Sequence, residues 1–223
     1  MPNVPVITID GPSGSGKGTI SSKVASALGY HLLDSGALYR ILGCVALEHK
    51  LGLDNPDILA QTAEKLDISF NEDAPDTVTV NGQDFSLKIR QEIGGEMASR
   101  VAQVPEVRNA LLKRQFAFRK PPGLVADGRD MGTVVFPDAK VKIYLTASVE
   151  ERAQRRYNQL IAKGIGAILP DLLRELKERD DRDSKRSASP LIPAADAHIL
   201  DTTNLNIDEV VSKVLSLVAE SAS

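Results

Sequence analysis

Residues 6–19 read Val6-Ile7-Thr8-Ile9-Asp10-Gly11-Pro12-Ser13-Gly14-Ser15-Gly16-Lys17-Gly18-Thr19, and this stretch decides the fold. The apolar run 6–10 has the composition of a strand buried on both faces, and a glycine-rich turn and a helical pattern follow it. Glycines let backbone N–H groups converge on an anion, and the next helix adds its N-terminal dipole. This order of strand, turn, lysine and helix predicts a phosphate-binding P-loop. A glycine-rich turn of no function would not need the flanking strand and helix.

The residues around the lysine predict how a nucleotide triphosphate and its metal are bound. Lys17 places a point charge at the β and γ phosphates. The general motif has Ser or Thr directly after the lysine, whereas this chain has Gly18 there and the hydroxyl one residue later, at Thr19. We therefore expect Mg²⁺ to be held mainly by phosphates, water and a carboxylate. The residues expected to bind ATP are Gly11, Pro12, Ser13, Gly14, Ser15, Gly16, Lys17, Gly18 and Thr19.

Short apolar runs alternate with helical patterns along the rest of the chain, which predicts an α/β fold with a parallel sheet. The predicted core strands are Val6–Asp10, His31–Asp34, Leu124–Asp127, Val141–Thr146 and His198–Asp201. Helices are predicted over about 16–28, 37–50 and 207–219, the last behind Asn206 as its cap.

Two segments interrupt this rhythm. Residues 53–119 contain the β-rich runs Thr77–Val80 and Asp84–Ser86, and Asn81-Gly82 between them is a strong hairpin signal, so we expect a small antiparallel insertion followed by helices. Residues 152–186 hold ten Lys/Arg and six Asp/Glu on a chain of net charge −3. This basic segment is either a solvated helical face or a mobile lid over phosphates, and glycines near its middle would permit a bend.

Three polar clusters are candidates for the site, and the first two follow predicted strands. Ser35 and Arg40 suit a second phosphate, although Arg40 could equally be a surface arginine of an amphipathic helix. Asp127 and Arg129 follow the strand that begins at 124, where ligands of open α/β sheets bind. Asp127 is placed to orient magnesium or its waters, and Arg129 can bind a phosphate with two parallel hydrogen bonds. A simple Asp-Gly turn would explain Asp127 but not the Arg-Asp that comes next.

The third cluster spans 179–186 and is dense in both signs of charge. A charge-paired surface helix is the usual explanation of such a run. Because this run ends the candidate lid, we expect its arginines to reach the transferring phosphoryl group only when the lid closes.

Composition excludes several other classes of protein. The 223 residues suffice for one domain with a substantial core, and no apolar run approaches the roughly 18 residues of a membrane span. With no global basic charge we expect no nucleic-acid partner. The single cysteine, Cys44, is interpreted as core packing, and His31, His49 and His198 lack metal-ligand spacing. We expect a soluble, cytoplasmic monomer. No Asn-Lys-x-Asp or Asp-x-x-Gly motif indicates a GTPase.

Taken together, Gly11–Thr19, Leu33–Arg40, Asp127–Thr133 and Glu178–Asp183 resemble signatures of the nucleoside monophosphate kinases, most closely the bacterial cytidylate kinases. The resemblance covers nearly the whole chain. It implies a P-loop NTPase-like five-stranded parallel sheet flanked by helices, built as a single kinase unit. The core would comprise about 1–36, 120–151 and 187–223, the enlarged monophosphate-binding region about 37–119, and the short lid about 152–186.

The family implies that ATP and CMP or dCMP, with Mg²⁺, give ADP and CDP or dCDP. Carried over residue by residue, the monophosphate's phosphate and sugar side would be bound by Ser35, Arg40, Arg129 and Arg186. The cytosine readers would be Ser99, Arg108 and Asp130, and the ribose contacts Arg179 and Asp183. Arg152 and Arg156 look like lid residues over the ATP phosphates. Lys17, Arg129, Arg182 and Arg186 would serve catalysis, and Asp127 would hold the metal through water.

Two alternatives remain open at this point. One is another small-substrate P-loop kinase, acting on UMP, AMP, GMP or shikimate. The other is a nucleotide-binding module without turnover, which ADP formation dependent on an added monophosphate would exclude. The absence of an obvious catalytic His or Cys agrees with phosphoryl transfer, because an ionised phosphate nucleophile needs no general base.

Overall fold

The computed structural model describes residues 4–70, 77–162 and 164–222. The strands are β1 (Val6–Asp10), β2 (His31–Asp34), β3 (Ile68–Phe70), β4 (Val78–Val80), β5 (Gln83–Asp84), β6 (Leu124–Gly128), β7 (Val141–Thr146) and β8 (His198–Asp201). The helices are α1 (Lys17–Leu28), α2 (Ser35–Glu48), α3 (Pro56–Lys65), α4 (Glu92–Val101), α5 (Pro105–Phe116), α6 (Val149–Ala162), α7 (Leu169–Lys185) and α8 (Ile207–Ala222).

The main sheet has five parallel strands in the order β2-β6-β1-β7-β8. All five predicted core strands are present, and only β6 differs in length, by one residue at Gly128. Strand β1 lies at the centre, with every residue buried, as its unbroken apolar run predicts. The predicted α/β fold with a parallel sheet is therefore confirmed.

Helices α1 and α8 pack against this sheet. Their apolar faces and the strands share one core cluster, which includes Ile9, Val24, Ile143 and Val214. The predicted cap of α8 is confirmed, because Asn206 Oδ1 accepts a hydrogen bond from Glu209 N at 3.0 Å, and Asn206 N donates one in return to Glu209 Oε2 at 2.8 Å. This reciprocal pair is a capping box.

Helix α2 differs from its predicted bounds of about 37–50. It begins two residues earlier, at Ser35, and ends at Glu48. The chain leaves the helix through Lys50 in the left-handed region, at φ +52°, while Leu51 N donates to Ala46 O at 2.8 Å. This bond closes the helix in the manner usually supplied by glycine. A lysine in that position gives no stop signal in the sequence.

The chain divides into two units, Met1–Asp34 with Ala117–Ser223, and Ser35–Phe116. The second unit contains a three-stranded antiparallel sheet, β3-β4-β5, besides α2 to α5. Asn81 and Gly82 both have positive φ, which is the turn geometry of a two-residue hairpin. The predicted hairpin is confirmed in shorter form, and β3, three residues long, was not predicted. Residues 71–76 lie outside the described residues.

Cys44 is buried in the second unit, where its thiol donates to Lys88 O at 3.7 Å. Burial raises its pKa, so the thiolate is disfavoured, and the interpretation of this residue as core packing is confirmed. Within the described part of the chain, no helix combines the length and apolarity that crossing a membrane requires.

Gly11 is the tightest point of the fold that a single substitution can test. Its φ is +154°, and a Cβ built there would lie 2.2 Å from the carbonyl oxygen of Leu145 on β7. We expect Gly11→Ala to lower the free energy of unfolding by about 3 kcal/mol, because backbone must move to admit the methyl group. Urea denaturation monitored by circular dichroism measures this change.

Two other glycines are matched controls. Gly29 has φ +65° with open space around it, so Gly29→Ala should cost only about 1 kcal/mol, from the left-handed conformation alone. Gly166 has open space and no positive φ, so Gly166→Ala should change stability by less than about 0.5 kcal/mol. Equal losses for Gly11 and Gly29 would contradict the close approach to β7.

Candidate active site

The loop between β1 and α1 forms an anion cradle at the carboxyl edge of the sheet. Gly14 and Gly16 both have positive φ, at +77° and +88°. Gly16 is the N-cap of α1 and offers no side chain to its N–H groups, and the first turn of the helix contains no acidic residue. Free N–H groups and a positive dipole end are what a phosphate requires.

Lys17 supplies the cation of this cradle. Its Nζ donates a hydrogen bond to Pro12 O at 3.0 Å, so the ammonium group lies back across the loop. The Ser15 hydroxyl in the same loop is buried, and its oxygen has no hydrogen-bond partner among the described residues. The loop thus brings a cation and backbone donors together.

Arg152, near the start of α6, packs against the loop between β1 and α1. It is 4% exposed, and a Cβ on Gly14 would lie 3.1 Å from the Arg152 Cβ. Its Nε donates to Ala147 O and its Nη1 to Ser13 O, both at 3.0 Å, and the guanidinium forms an ion pair with Asp180 of α7. The sequence predicts that Arg152 lies over ATP phosphates. Contact with a phosphate would require it to exchange these protein partners.

Arg155, which sequence reasoning did not single out, lies closer to the start of α1. Its Nη1 is 4.0 Å from a Cβ built on Gly16, and its guanidinium donates to the hydroxyl and the carbonyl oxygen of Thr202. Glu151 accepts from its Nε at 2.9 Å. Arg156, predicted together with Arg152, is half-buried on the same helix. Spacing along a helix favoured the pair four residues apart, and only the fold brings Arg155 to the loop.

Asp127 is the second-last residue of β6, and its carboxylate lies near the start of α1. It is 5% exposed, and its Oδ2 lies 3.5 Å from a Cβ built on Gly18. The described residues contain no group of three or more His, Cys, Asp or Glu that could hold a metal ion. A single carboxylate beside a phosphate loop suits Mg²⁺, which takes most of its ligands from phosphates and water.

Arg129 and Asp183 form a buried ion pair between the turn after β6 and helix α7. Arg129 Nε donates to Asp183 Oδ2 at 3.0 Å, and the two side chains are 16% and 4% exposed. Burial opposes the charge of Asp183, but the positive charges of Arg129, Arg179 and Arg186 outweigh it and lower the pKa of that carboxyl. Arg129 is therefore held in place before any phosphate binds.

Three more arginines of the predicted cluster accompany Asp183 on α7 or at its end. The Nε of Arg182 is buried and has no hydrogen-bond partner among the described residues. Arg186 is 8% exposed and donates to Ser189 O. Arg179 is half-buried and adds its positive charge to the field at Asp183. Residues 179–186, for which the sequence allowed either a charge-paired surface helix or the end of a lid, therefore have a buried, cationic side.

Asp10, which ends β1, is the main feature that sequence reasoning missed. Its carboxylate accepts hydrogen bonds from Met131 N at 2.9 Å and from Gly132 N at 2.8 Å. Its pKa is raised from 3.8 to about 6. Burial is the main cause, the two N–H groups oppose it, and the negative charge of Asp130 adds a smaller upward effect. Asp130 itself is 3% exposed.

The second unit contains the remaining predicted residues. Ser35 and Ser99 are buried, at 3% and 5% exposure, and Arg40 is half-buried on α2. Arg108 on α5 donates to Ala102 O at 3.4 Å, and its guanidinium lies 5.8 Å from the centre of the Tyr39 ring. This distance is within the range of a cation–π attraction between the guanidinium and the ring.

The fold and the loop together define a P-loop kinase-like α/β protein. A central parallel strand leads into a glycine-rich loop, a lysine and an uncapped helix, and buried arginines follow on neighbouring elements.

Within that class, the chain belongs to the cytidylate kinase family, whose model matches residues 7–220. A cytidylate kinase of Shewanella pealeana is 55% identical over 215 residues, which cover 95% of this chain and 94% of that protein. One of Bordetella bronchiseptica is 58% identical over 211 residues, covering 95% and 93%. Among solved structures, a shikimate kinase from Acinetobacter baumannii in complex with shikimate is similar at 17% identity and TM-score 0.44, covering 98% of this chain and 94% of that one.

The pKa of Asp10 should lie above that of an ordinary aspartate, and the pKa of Asp183 should lie below it. By ¹³C NMR we expect a midpoint of about 6 for the Asp10 carboxyl and one below 3.8 for Asp183. Because the folded pKa of Asp10 exceeds its unfolded value, this group lowers the free energy of unfolding as pH rises from 3.8 to about 6. Asp183 does the reverse: its contribution to stability is present above its unfolded pKa and is lost as pH falls through its folded pKa. Coincident midpoints would contradict the two environments.

Proposed function

We propose that this chain is a cytidylate kinase that transfers the γ-phosphoryl group of ATP to CMP or dCMP, giving ADP and CDP or dCDP. The observation that carries the proposal is the buried Arg129–Asp183 pair, with Asp130 next to Arg129 in the turn after β6, the strand that pairs with β1. Arg129, which can bind a phosphate, and Asp130, whose carboxylate can accept a hydrogen bond from a base, are thus adjacent in the chain. The family to which the chain belongs supports the same assignment.

The reaction needs positioning and charge neutralisation more than proton transfer. An oxygen of the CMP phosphate attacks the γ-phosphorus of ATP, and the bond from that phosphorus to the β–γ bridging oxygen breaks, so that ADP leaves with the electron pair. The nucleophile is already ionised, and no general base is required. Lys17 and the N–H groups at the start of α1 would hold the β and γ phosphates.

Arg129 and the arginines at the end of α7 are suited to stabilise the negative charge that develops during phosphoryl transfer. We propose that Arg129 and Arg186 bind the CMP phosphate and that Arg182 meets the transferring group. The buried Nε of Arg182, without a partner in the described residues, supports this role, because such a donor is costly unless a ligand completes it. Arg179 and Asp183 would contact the ribose.

Asp127, through water, is the residue that would hold Mg²⁺ beside the phosphate loop. When bound, the ion would neutralise charge on the β- and γ-phosphate oxygens. Residues 152–186, which cover most of α6 and all of α7 with Lys163 outside the described residues, would act as the lid. By excluding water, a closed lid favours transfer to CMP over hydrolysis. In the second unit, Ser35 and Arg40 would bind phosphate, and Ser99 and Arg108 cytosine. We propose a cytoplasmic monomer.

The direct test is a coupled assay of ADP formation with CMP, dCMP, UMP, AMP, GMP and shikimate as acceptors. We expect CMP and dCMP to support the highest kcat/KM, and ADP formation to require an acceptor. Preference for any other acceptor would overturn the proposal in favour of a different small-substrate kinase. ATP binding without turnover on any acceptor would leave only a nucleotide-binding module.

Lys17→Ala should abolish phosphoryl transfer, with a loss in kcat of at least about 100-fold, because the charge on the β and γ phosphates disappears. The fold should persist, since Lys17 is half-exposed and its ammonium group donates to Pro12 O within the same loop. Lys23→Ala is the matched control: Lys23 lies on the same helix, is 51% exposed and pairs with Asp208. Turnover of Lys17→Ala at the level of Lys23→Ala would refute the role of Lys17.

Asp130→Ala should reduce kcat/KM for CMP far more than for UMP. Cytosine offers an N4 amino donor to a carboxylate, whereas uracil presents an O4 acceptor there. Sites that leave a buried polar group unpaired can discriminate by several orders of magnitude. Arg129→Ala is the contrasting variant: it should reduce both substrates alike, because both carry the same phosphate. Equal losses of CMP and UMP in Asp130→Ala would contradict the assignment.

A further inference from the structure

We infer that Asp10 is a positioning residue that holds the turn carrying Arg129 and Asp130 in its substrate-binding conformation. This inference rests on the proposed function. The Asp10 carboxylate accepts from the two backbone N–H groups that directly follow that pair, Met131 N to Oδ1 at 2.9 Å and Gly132 N to Oδ2 at 2.8 Å. Each carboxylate oxygen has its own N–H donor, so the turn is attached at two adjacent points.

The backbone of the turn is irregular and depends on such support. Asp130 has φ −147° and ψ 24°, outside both helix and strand, and one turn of π-helix follows at Met131–Val135. A rare helix of this kind is often found at functional sites. Without external acceptors, the buried N–H groups of residues 131 and 132 would lose their partners, at the cost of an unsatisfied buried donor.

Packing brings the turn to β1 at a second place, two residues before Asp10. A Cβ on Gly132 would lie 2.8 Å from Thr8 Oγ1, so glycine is required for this approach. The Thr8 hydroxyl is fully buried and has no hydrogen-bond partner in the described residues. The turn therefore contacts β1 at both residues, and Asp10 binds it through two hydrogen bonds.

The chemistry of the side chain also favours positioning over stability. A carboxylate offers two acceptors to two neighbouring N–H groups, which an asparagine cannot do. The charges facing it are Asp130 and Arg129 on the turn and Lys17 on α1. Burial and the like charge of Asp130 work against the ionised group, so the fold retains a disfavoured charge at the point where two site elements meet.

The test compares Asp10→Asn with Thr8→Val. Asparagine keeps the size of Asp10 but turns an amide NH₂ towards one N–H donor, whereas valine keeps the shape of Thr8 and removes only an unpartnered hydroxyl. In the coupled assay with saturating ATP, we expect Asp10→Asn to raise the KM for CMP by about 10- to 100-fold, the loss of a hydrogen bond to a charged group. The KM for ATP should change far less, and Thr8→Val should retain wild-type kinetics.

The preference for CMP over UMP distinguishes positioning from a purely structural role, because a purely structural role of Asp10 would leave this preference unchanged. Asp10→Asn should lower the ratio of kcat/KM for CMP over UMP. In an Asp130→Ala background it should lower that ratio no further, because the residue through which it acts is gone. If Asp10→Asn does not fold by circular dichroism, Asp10→Ser, which keeps one acceptor, should show the same selective loss of CMP binding.

Equal losses for CMP, UMP and ATP, or a further fall of the CMP/UMP ratio in the Asp130→Ala background, would overturn the inference and leave Asp10 a residue of the fold. Wild-type kinetics in a folded Asp10→Asn protein would also overturn it. A wild-type protein that forms no ADP on CMP would instead refute the proposed function, so the two failures are distinguishable.

Discussion

The arrangement of the first unit depends on the central position of β1. This strand is hydrogen-bonded to β6 on one side and to β7 on the other, in parallel. The carboxyl ends of all three strands therefore meet at one edge, where Asp10 and Asp127 end or nearly end their buried runs. From that edge the chain turns directly into the phosphate loop, and Leu145 on β7 leaves room there for glycine alone. The position of the loop follows from strand pairing and one close approach.

Buried charge is the second organising feature. Arg129 pairs with the buried Asp183, and the buried Arg152 pairs with Asp180, which is 28% exposed. Buried ion pairs contribute little net stability, because desolvation offsets their attraction. They do hold guanidinium groups in fixed orientations. An enzyme that relies on positioning and electrostatics rather than a catalytic base benefits from donors that need not reorganise during the reaction.

Most of the main sheet could be predicted from the sequence, because its strands are unbroken apolar runs and its first helix follows an unmistakable glycine pattern. The N-cap of α8 at Asn206 could be predicted as well, although the reciprocal bond with Glu209 was not predicted. Strand β3 was not, since three residues carry too little periodicity, and neither was the end of α2, where a lysine takes the position of a glycine.

Candidate site residues could be named from the sequence where they belong to a short continuous motif, as Lys17 and the run Asp127–Asp130 do. Contacts made across the fold could not be predicted in this way. Asp10 looks like the last residue of a strand, and only the pairing of β1 with β6 brings its carboxylate to the amides at 131 and 132. Arg152 was predicted to lie over the ATP phosphates, but its hydrogen bonds to Ser13 O and Asp180 could not be predicted from the sequence.

The central claim is that the γ-phosphoryl group passes directly from ATP to the phosphate of CMP. ³¹P NMR of the wild-type protein with ATP, Mg²⁺ and CMP tests it most directly. The account predicts that the resonances of CDP and ADP grow in equal amounts while inorganic phosphate stays at its background level. Growth of inorganic phosphate in place of CDP would show that water is the acceptor, and would contradict the account.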